Sequence, residues 1–391
     1  MSGTLISFYD NAGFALKQHT EAMTRLQEQA ATGSRIHRAS DAPSDAYQLL
    51  GLKTQQSSLE NYFNYLSQAI PMLELSTGII QEISNGLLDV KKSLTQVSSG
   101  TYTQDQRDMR ADQVDSVLEQ ALALANSRFV DQFLFGGSNT TSAPYVAEYA
   151  DGKITSVNYQ GSLDSRQTEV APGVRSTPFS VGEEVFRSDN RGTPVFLGDT
   201  GAAAGTGTSS VQGYVWLTVR DKGGYEVSID DGATWTAAGG ANVAVEDTRT
   251  GKVLFVDTTG ISSEGVELVS VPGTHDVFNM LITTRDVLRN ERGLTDDQLK
   301  EALGNAPEAL SEVENCLVRA SVSLGSRAGF FEDLKNTLLN LKYNVEDHTA
   351  ALEDADIAQV AIDLSRHELL YQMSLSVIGR IMSMSLLDFI R

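Results

Sequence analysis

An apolar residue returns at every seventh position along two long stretches of this chain. In the first, Leu52, Leu59, Leu66, Leu73, Ile80, Leu87 and Leu94 keep strict spacing, and three residues further on stand Gln55, Tyr62, Ala69, Ser76, Ile83, Val90 and Val97. In the second, Leu303, Leu310, Leu317, Leu324, Phe331, Leu338, Val345 and Leu352 repeat the pattern, with Val313, Ala320, Leu334 and Leu341 three beyond members of that series. A helix returns residues seven apart to nearly the same side, so two such registers specify long helices carrying a coiled-coil seam. A helix from Asp41 to Ser98 would run roughly 85 Å at about 1.5 Å per residue, longer than a compact domain needs. The expectation is a folded-back rod built from both ends of the chain, with Leu310 to Leu338 of the second helix facing Leu52 to Leu94 of the first.

The bounds of these helices follow from local chemistry. Ser40 or Asp41 can cap the first, Pro43 is tolerated in its first turn, and Ser98-Ser99-Gly100 ends it. Pro71 lies inside the pattern and predicts a kink, because it removes one backbone donor. A second helix is predicted from Thr103 to Phe129, closing at Phe135-Gly136-Gly137. The later rod is predicted to start after Asn305-Ala306-Pro307, and Thr295-x-x-Gln298 has the form of a capping box for a shorter helix upstream.

Glycine divides the chain more sharply than its averages do. Residues 141 to 280 hold 19 of the 33 glycines, five of the eight prolines and both tryptophans. Val211 to Arg220 alternates as a strand should, and Tyr225 to Ile229 and Lys252 to Asp257 are further short runs between turns. The fold class expected is mainly α with an inserted all-β domain. Its parts are terminal helices at 1–40 and 350–391, a helical rod of 41–140 and 277–349, and a β-rich outer domain at 141–276. Gly198 to Ser210 is small and polar, and reads as a flexible loop.

Both termini are amphipathic without an obvious private core. Leu5, Phe8, Ala12, Ala15, Ala22, Met23, Leu26 and Ala30 fall at helical spacings. Tyr371 to Arg391 carries only Arg380, Asp388 and Arg391 as charges among Leu375, Ile378, Ile381, Leu386, Leu387, Phe389 and their apolar neighbours. So apolar an end is a solubility liability in a free monomer and is expected to pair with other subunits.

Charge and chemistry exclude several classes. Fifty-one acidic against thirty basic residues give a formal charge of −21, which opposes binding to bare nucleic acid or anionic lipid. No apolar run of about 18 residues is present, and the N-terminus lacks the basic and apolar regions of a cleaved signal. One cysteine, Cys316, cannot form an internal disulfide, and the five histidines show no ligand spacing. No metal or cofactor is expected.

Five local patterns are weighed against structural roles. Ser228-x-Asp230-x-Gly232-x-x-Trp235 matches the Asp-box of sialidase propellers, but one copy cannot build a propeller, so a turn with a packed tryptophan is the better account. Gly201-x-x-x-Gly205-x-Gly207 lacks the Lys-Ser or Lys-Thr of a phosphate loop. His348 falls on the heptad series and reads as a polar seam position, and Cys316 as a small buried apolar group. Glu353, Asp354 and Asp356 read as a solvated helix face. No catalytic residues are expected, and an Asp-box glycosidase is a distant alternative.

The arrangement resembles the bacterial flagellin superfamily. The residues carrying the resemblance are Leu26-Gln-Glu-Gln-x-x-Thr32-Gly33-Ser-Arg35-Ile36, Ser40-Asp41-Ala-Pro43 with Ala46, Leu124-Ala-Asn126, Phe133-x-Phe135-Gly136-Gly137 and Leu324-Gly325-x-Arg327. The closing Gly379 to Phe389, and the run from Tyr159 through Gly173 to Phe186, are similar to the branch that joins hook to filament. Ala42, where a second acidic residue is usual, departs from the pattern, as does Pro71. The resemblance implies a structural adapter of the flagellum, not an enzyme, exported by the flagellar type III system without a cleaved signal and located outside the cell. It implies as partners copies of itself in a ring, a neighbouring hook-associated protein, flagellin, and an export chaperone on Leu369 to Leu387. The assembly contacts are expected at Leu5, Phe8, Leu26, Leu369, Leu375, Ile378, Ile381, Leu386, Leu387 and Phe389, with segments 1–35 and 355–391 disordered before assembly. Filament flagellin is the alternative within the superfamily.

Overall fold

The computed structural model describes residues 2–99 and 102–389, with side chains for 10–98 and 102–380. It divides into two compact units, one of residues 1–64 and 335–391, the other of residues 65–334. Helix α2 (Pro43–Ser99) and helix α6 (Asp296–Glu353) contribute to both.

In the larger unit the heptad positions are interior. Leu66, Leu73, Ile80, Leu87 and Leu94 of α2 are buried, as are Leu310, Leu317, Leu324 and Phe331 of α6, and Lys91 reaches Glu314 across 3.1 Å. In the smaller unit Leu59 and Leu338 are also buried, whereas Leu52 is half-buried. There Glu60 meets Lys342, Gln56 meets Glu346 and Lys53 meets Glu353, a ladder that sets the two helices antiparallel.

Helix α2 is one helix through Pro71, as the seam pattern requires, and two helix boundaries differ from expectation. Helix α2 passes through Pro71 without interruption, because Leu66, Ala69, Ile70, Met72 and Leu73 around it are all buried and tertiary packing outweighs one lost backbone bond. Helix α6 likewise passes through Pro307; the Thr295–Gln298 capping box opens this one helix, with Thr295 N to Gln298 Oε1 at 3.0 Å and the reciprocal bond at 3.3 Å. Helix α3 (Gln104–Ala125) stops four residues early. The side chain of Asn126 bonds both backbone groups of Tyr145, and Val130 and Asp131 adopt positive φ to turn Arg128–Phe129 (β1) onto Gln132–Phe133 (β2).

The central region is β-rich. Tyr145–Ala150 (β3) pairs with Lys153–Tyr159 (β4), and Thr168–Ala171 (β5) with Val174–Ser176 (β6), followed by the short helix α4 (Gly182–Phe186). Val195–Leu197 (β7), Ala203–Ala204 (β8), Gly213–Asp221 (β9), Tyr225–Ser228 (β10), Thr236–Ala237 (β11), Val243–Asp247 (β12), Lys252–Asp257 (β13) and Gly265–Val271 (β14) form the rest. They make a five-stranded sheet, order β11-β10-β9-β14-β7, and a three-stranded sheet, order β12-β13-β8. Inward residues of both, among them Leu217, Val219, Val227, Val245, Leu254 and Val269, share one apolar cluster.

The segment Gly198 to Ser210 is not an unstructured loop. It carries β8, and Thr200 donates its N–H to Glu267 at 2.6 Å. His348 is exposed and does not belong to the seam. Helix α5 (Val277–Arg289) packs on α3, and Phe278 joins Phe135, Tyr145 and Phe186 in one ring cluster. Gly137, at φ +64°, lies so close to the Ser162 carbonyl that a Cβ would sit 2.3 Å from it, so the Gly136-Gly137 pair lets two backbones meet there. Among the described residues no helix is long and apolar enough to cross a membrane, and no group of three or more metal-ligating side chains is assembled.

The Asp-box is a hydrogen-bonded knot. Asp230 accepts from the Thr234 N–H and hydroxyl at 2.9 and 2.7 Å, from Ser228 at 2.8 Å and from Thr248 at 3.0 Å, while Arg220 stacks 3.6 Å from the Trp235 ring. Burial works against the carboxylate, but these donors hold it well below the usual aspartate range. A depressed folded-state value contributes stability above the unfolded pKa of about 3.9 and loses it as pH falls towards the folded value. Asp230→Asn is therefore expected to cost about 1–3 kcal/mol at pH 7, from donors left unsatisfied, and progressively less below pH 4. Urea unfolding at pH 7 and pH 3 checks it; an equal deficit at both pH values would show that the charge is not what matters.

Candidate assembly interface

The smaller unit is built around a coordinated break in two helices. Helix α1 (Ser2–Thr32) ends where Gly33 turns to φ +73°, and three residues separate the end of α6 from the start of helix α7 (Ile357–Phe389). The two breaks are stitched as a single antiparallel bridge: Arg35 N–H donates to the Glu353 carbonyl at 2.6 Å, and Ala355 N–H to the Gly33 carbonyl at 2.8 Å. The Arg35 guanidinium then reaches Asp45 at 2.8 Å and the Leu352 carbonyl at 2.9 Å. Asp356 caps α7 by accepting from Ala358 and Gln359. The Arg38 N–H, and with it that of His37, bonds the Asp41 carboxylate and lowers its pKa, so Asp41 fixes the turn before α2 rather than the helix start. Glu353, Asp354 and Asp356 are thus used as an ion-pair partner, a bridge residue and a cap.

Helices α1 and α7 pack along each other. Val360 is buried, and His367 faces His19 with Nδ1 to Nδ1 at 3.2 Å. Leu364, Tyr371 and Ile378 on the same side of α7 are half-buried. At 100° per residue, Ile362, Leu369, Met373 and Val377 form a stripe on the opposite side. They are exposed by 62, 58, 56 and 50%. Helix α7 thus has a second, largely apolar face, interrupted by the exposed Arg366 and Arg380, and α1 covers only the first.

Of the residues expected to make assembly contacts, Leu26 is buried within the unit, Leu369 and Leu375 are exposed, and Ile378 is half-buried. Leu5, Phe8, Ile381, Leu386, Leu387 and Phe389 lie on α1 and α7, but their side chains fall outside the described residues. The structure adds Phe14, Tyr47, Leu50, Ile357, Ile362, Met373 and Val377 as exposed apolar side chains of this unit. The stripe was readable in the spacing 362, 369, 373 and 377, hidden because the whole end of the chain is apolar.

Comparison with known proteins places this geometry. Residues 8–140 match the model of the bacterial flagellin N-terminal helical region. Hook-associated protein 3 of Escherichia coli (strain K12) is 25% identical over 162 residues, which are 41% of this chain and 49% of that protein. The chain thus spans about half the length of such curated relatives. Polar flagellin F of Vibrio parahaemolyticus is 20% identical over 379 residues, 93% of this chain and 92% of that one. Among solved structures, flagellar hook-associated protein-3 of Legionella pneumophila superposes with a TM-score of 0.51 at 16% identity, covering 77% of this chain and 96% of that one, a likeness of fold. Residues 8–140 of this chain are thus similar to the bacterial flagellin N-terminal helical region, and that match carries the resemblance to the flagellin superfamily.

Proposed function

We propose that this chain is a structural adapter of the bacterial flagellum, joining hook to filament, and not an enzyme. The observation that carries the reading is the second apolar face of α7, which α1 leaves uncovered. Copies would pack as a ring through α1 and α7, with residues 1–40 and 350–391 inside, the helical parts 41–140 and 277–349 around them, and the β-rich part 141–276 outermost. The contacts would be made by Leu5, Phe8 and Leu26 from one end and Leu369 to Phe389 from the other, while the Leu52 to Leu94 and Leu310 to Leu338 seams hold each subunit together. Neighbours on either side would be a hook-associated protein and flagellin. Export would follow the flagellar type III route, with a chaperone covering Leu369 to Leu387 and the termini ordering only on assembly. The relatives named hook-associated protein 3 support the placement at the junction.

The nearly full-length match to a polar flagellin favours a second reading, filament flagellin, with the same helices serving the bulk polymer. Electron microscopy of a deletion strain separates the two. The junction reading expects bare hooks and abundant filament subunit in the medium. Filaments still attached to hooks would overturn it, and long filaments grown from the purified protein alone would favour flagellin.

A further inference from the structure

A cleft of about 750 Å³ in the larger unit lies between α6 and the segment from β6 through α4. On its α6 side Cys316, Arg319, Ala320, Ser323 and Arg327 follow one another at helical spacing. Across from them stand Arg175, Thr177, Glu183 and Arg187. The volume is that of small-molecule sites, roughly 300–1,000 Å³.

Four arginines here contrast with a chain in which acidic residues outnumber basic ones by 51 to 30. Arg175 and Arg319 are exposed, whereas the half-buried Arg187 and Arg327 leave donors unpaired among the described residues. Arg187 pairs with Glu183, yet its Nε–H is buried with no partner. Arg327 gives one N–H to the Thr177 carbonyl at 3.1 Å, and burial pushes its pKa down with Glu184 opposing. Among the described residues, Arg175, Arg319 and Arg327 have no carboxylate in ion-pair range, although Glu184 and Asp189 also line the cleft. A guanidinium stays charged at any working pH, so a half-buried one bonded only to a carbonyl, with its carboxylate neighbour beyond ion-pair range, has its desolvation only partly offset. Its planar fork of donors matches phosphate and carboxylate oxygens two at a time.

We propose that this cleft binds a multivalent oxyanion, a phosphate or polycarboxylate group, held between Arg319 and Arg327 of α6 and Arg175 and Arg187 opposite. This is independent of the assembly role, since none of these residues belongs to the smaller unit.

The test is calorimetric titration of the full chain with inorganic phosphate and with citrate at constant ionic strength. The expected result is saturable heat for at least one of them, the stronger arm naming the class. Arg319→Gln should weaken binding about tenfold or more, the scale of losing a charge-assisted hydrogen bond. Arg319 is exposed, so this variant keeps its fold where Arg327→Gln, which loses the Thr177 contact, could unfold locally. Lys222→Gln, in the exposed turn between β9 and β10, should bind as the native chain does. No saturable heat for either anion, or equal affinity in Arg319→Gln and Lys222→Gln, would overturn the proposal.

Discussion

Replacing Arg285 with alanine is expected to remove about 3–5 kcal/mol of stability, the scale for breaking a buried ion network by deleting one partner. Arg285 is only 2% exposed and holds two carboxylates, Asp115 on α3 at 2.9 Å and the adjacent Asp286 at 2.8 Å. Arg289, one turn on, reaches Asp112 and Asp115. Together they bind α3 to α5, and α5 in turn anchors the ring cluster through Phe278. Burial already raises the pKa of Asp286, with Arg285 opposing. Without Arg285 the carboxyl would rise further, and a carboxyl raised in the folded state contributes its penalty as pH climbs through the unfolded value. The deficit should therefore be largest at pH 7 and shrink towards pH 4. Replacing Arg285 and Asp286 together with leucine should cost less than Arg285→Ala alone, because fewer charges are left stranded. Urea unfolding of the three proteins at both pH values decides; a loss below about 1 kcal/mol in Arg285→Ala would mean that solvent reaches the pair.

That network was invisible in the sequence, whereas the seam was plain. Leucines seven apart declare themselves, since one period both forms the helix and aims its side chains. Asp115 and Arg285 stand 170 positions apart with no periodicity between them. Pro307 misled for a related reason: proline reports a local conflict, and the buried neighbours that outweigh it come from elsewhere in the chain. Asn126 ends α3 through Tyr145, a partner that a scan of local propensity does not contain. The assembly surface was half legible. Apolar content marked the C-terminal end, but only the packing of α1 on one side of α7 shows which residues are left over, and it moved emphasis from Leu375 to the stripe of Ile362, Leu369, Met373 and Val377.

That stripe carries the second large effect. Leu369→Asp combined with Met373→Asp changes two exposed side chains of α7, so the isolated protein should unfold within about 0.5 kcal/mol of the native chain. In an assembled ring the same two charges would be carried into a packed apolar interface, where burying a charge is costly even with Arg366 one turn away, enough to abolish packing. A surface change that leaves the fold alone and removes function separates assembly from stability.

The most direct measurement adds purified protein from outside to cells that lack the native copy, which bypasses export, and counts by electron microscopy the hooks that gain filaments. The account predicts filaments after addition of the native chain and bare hooks after addition of the Leu369→Asp, Met373→Asp protein. Filaments appearing equally with both would contradict the claim that the uncovered face of α7 is the assembly surface.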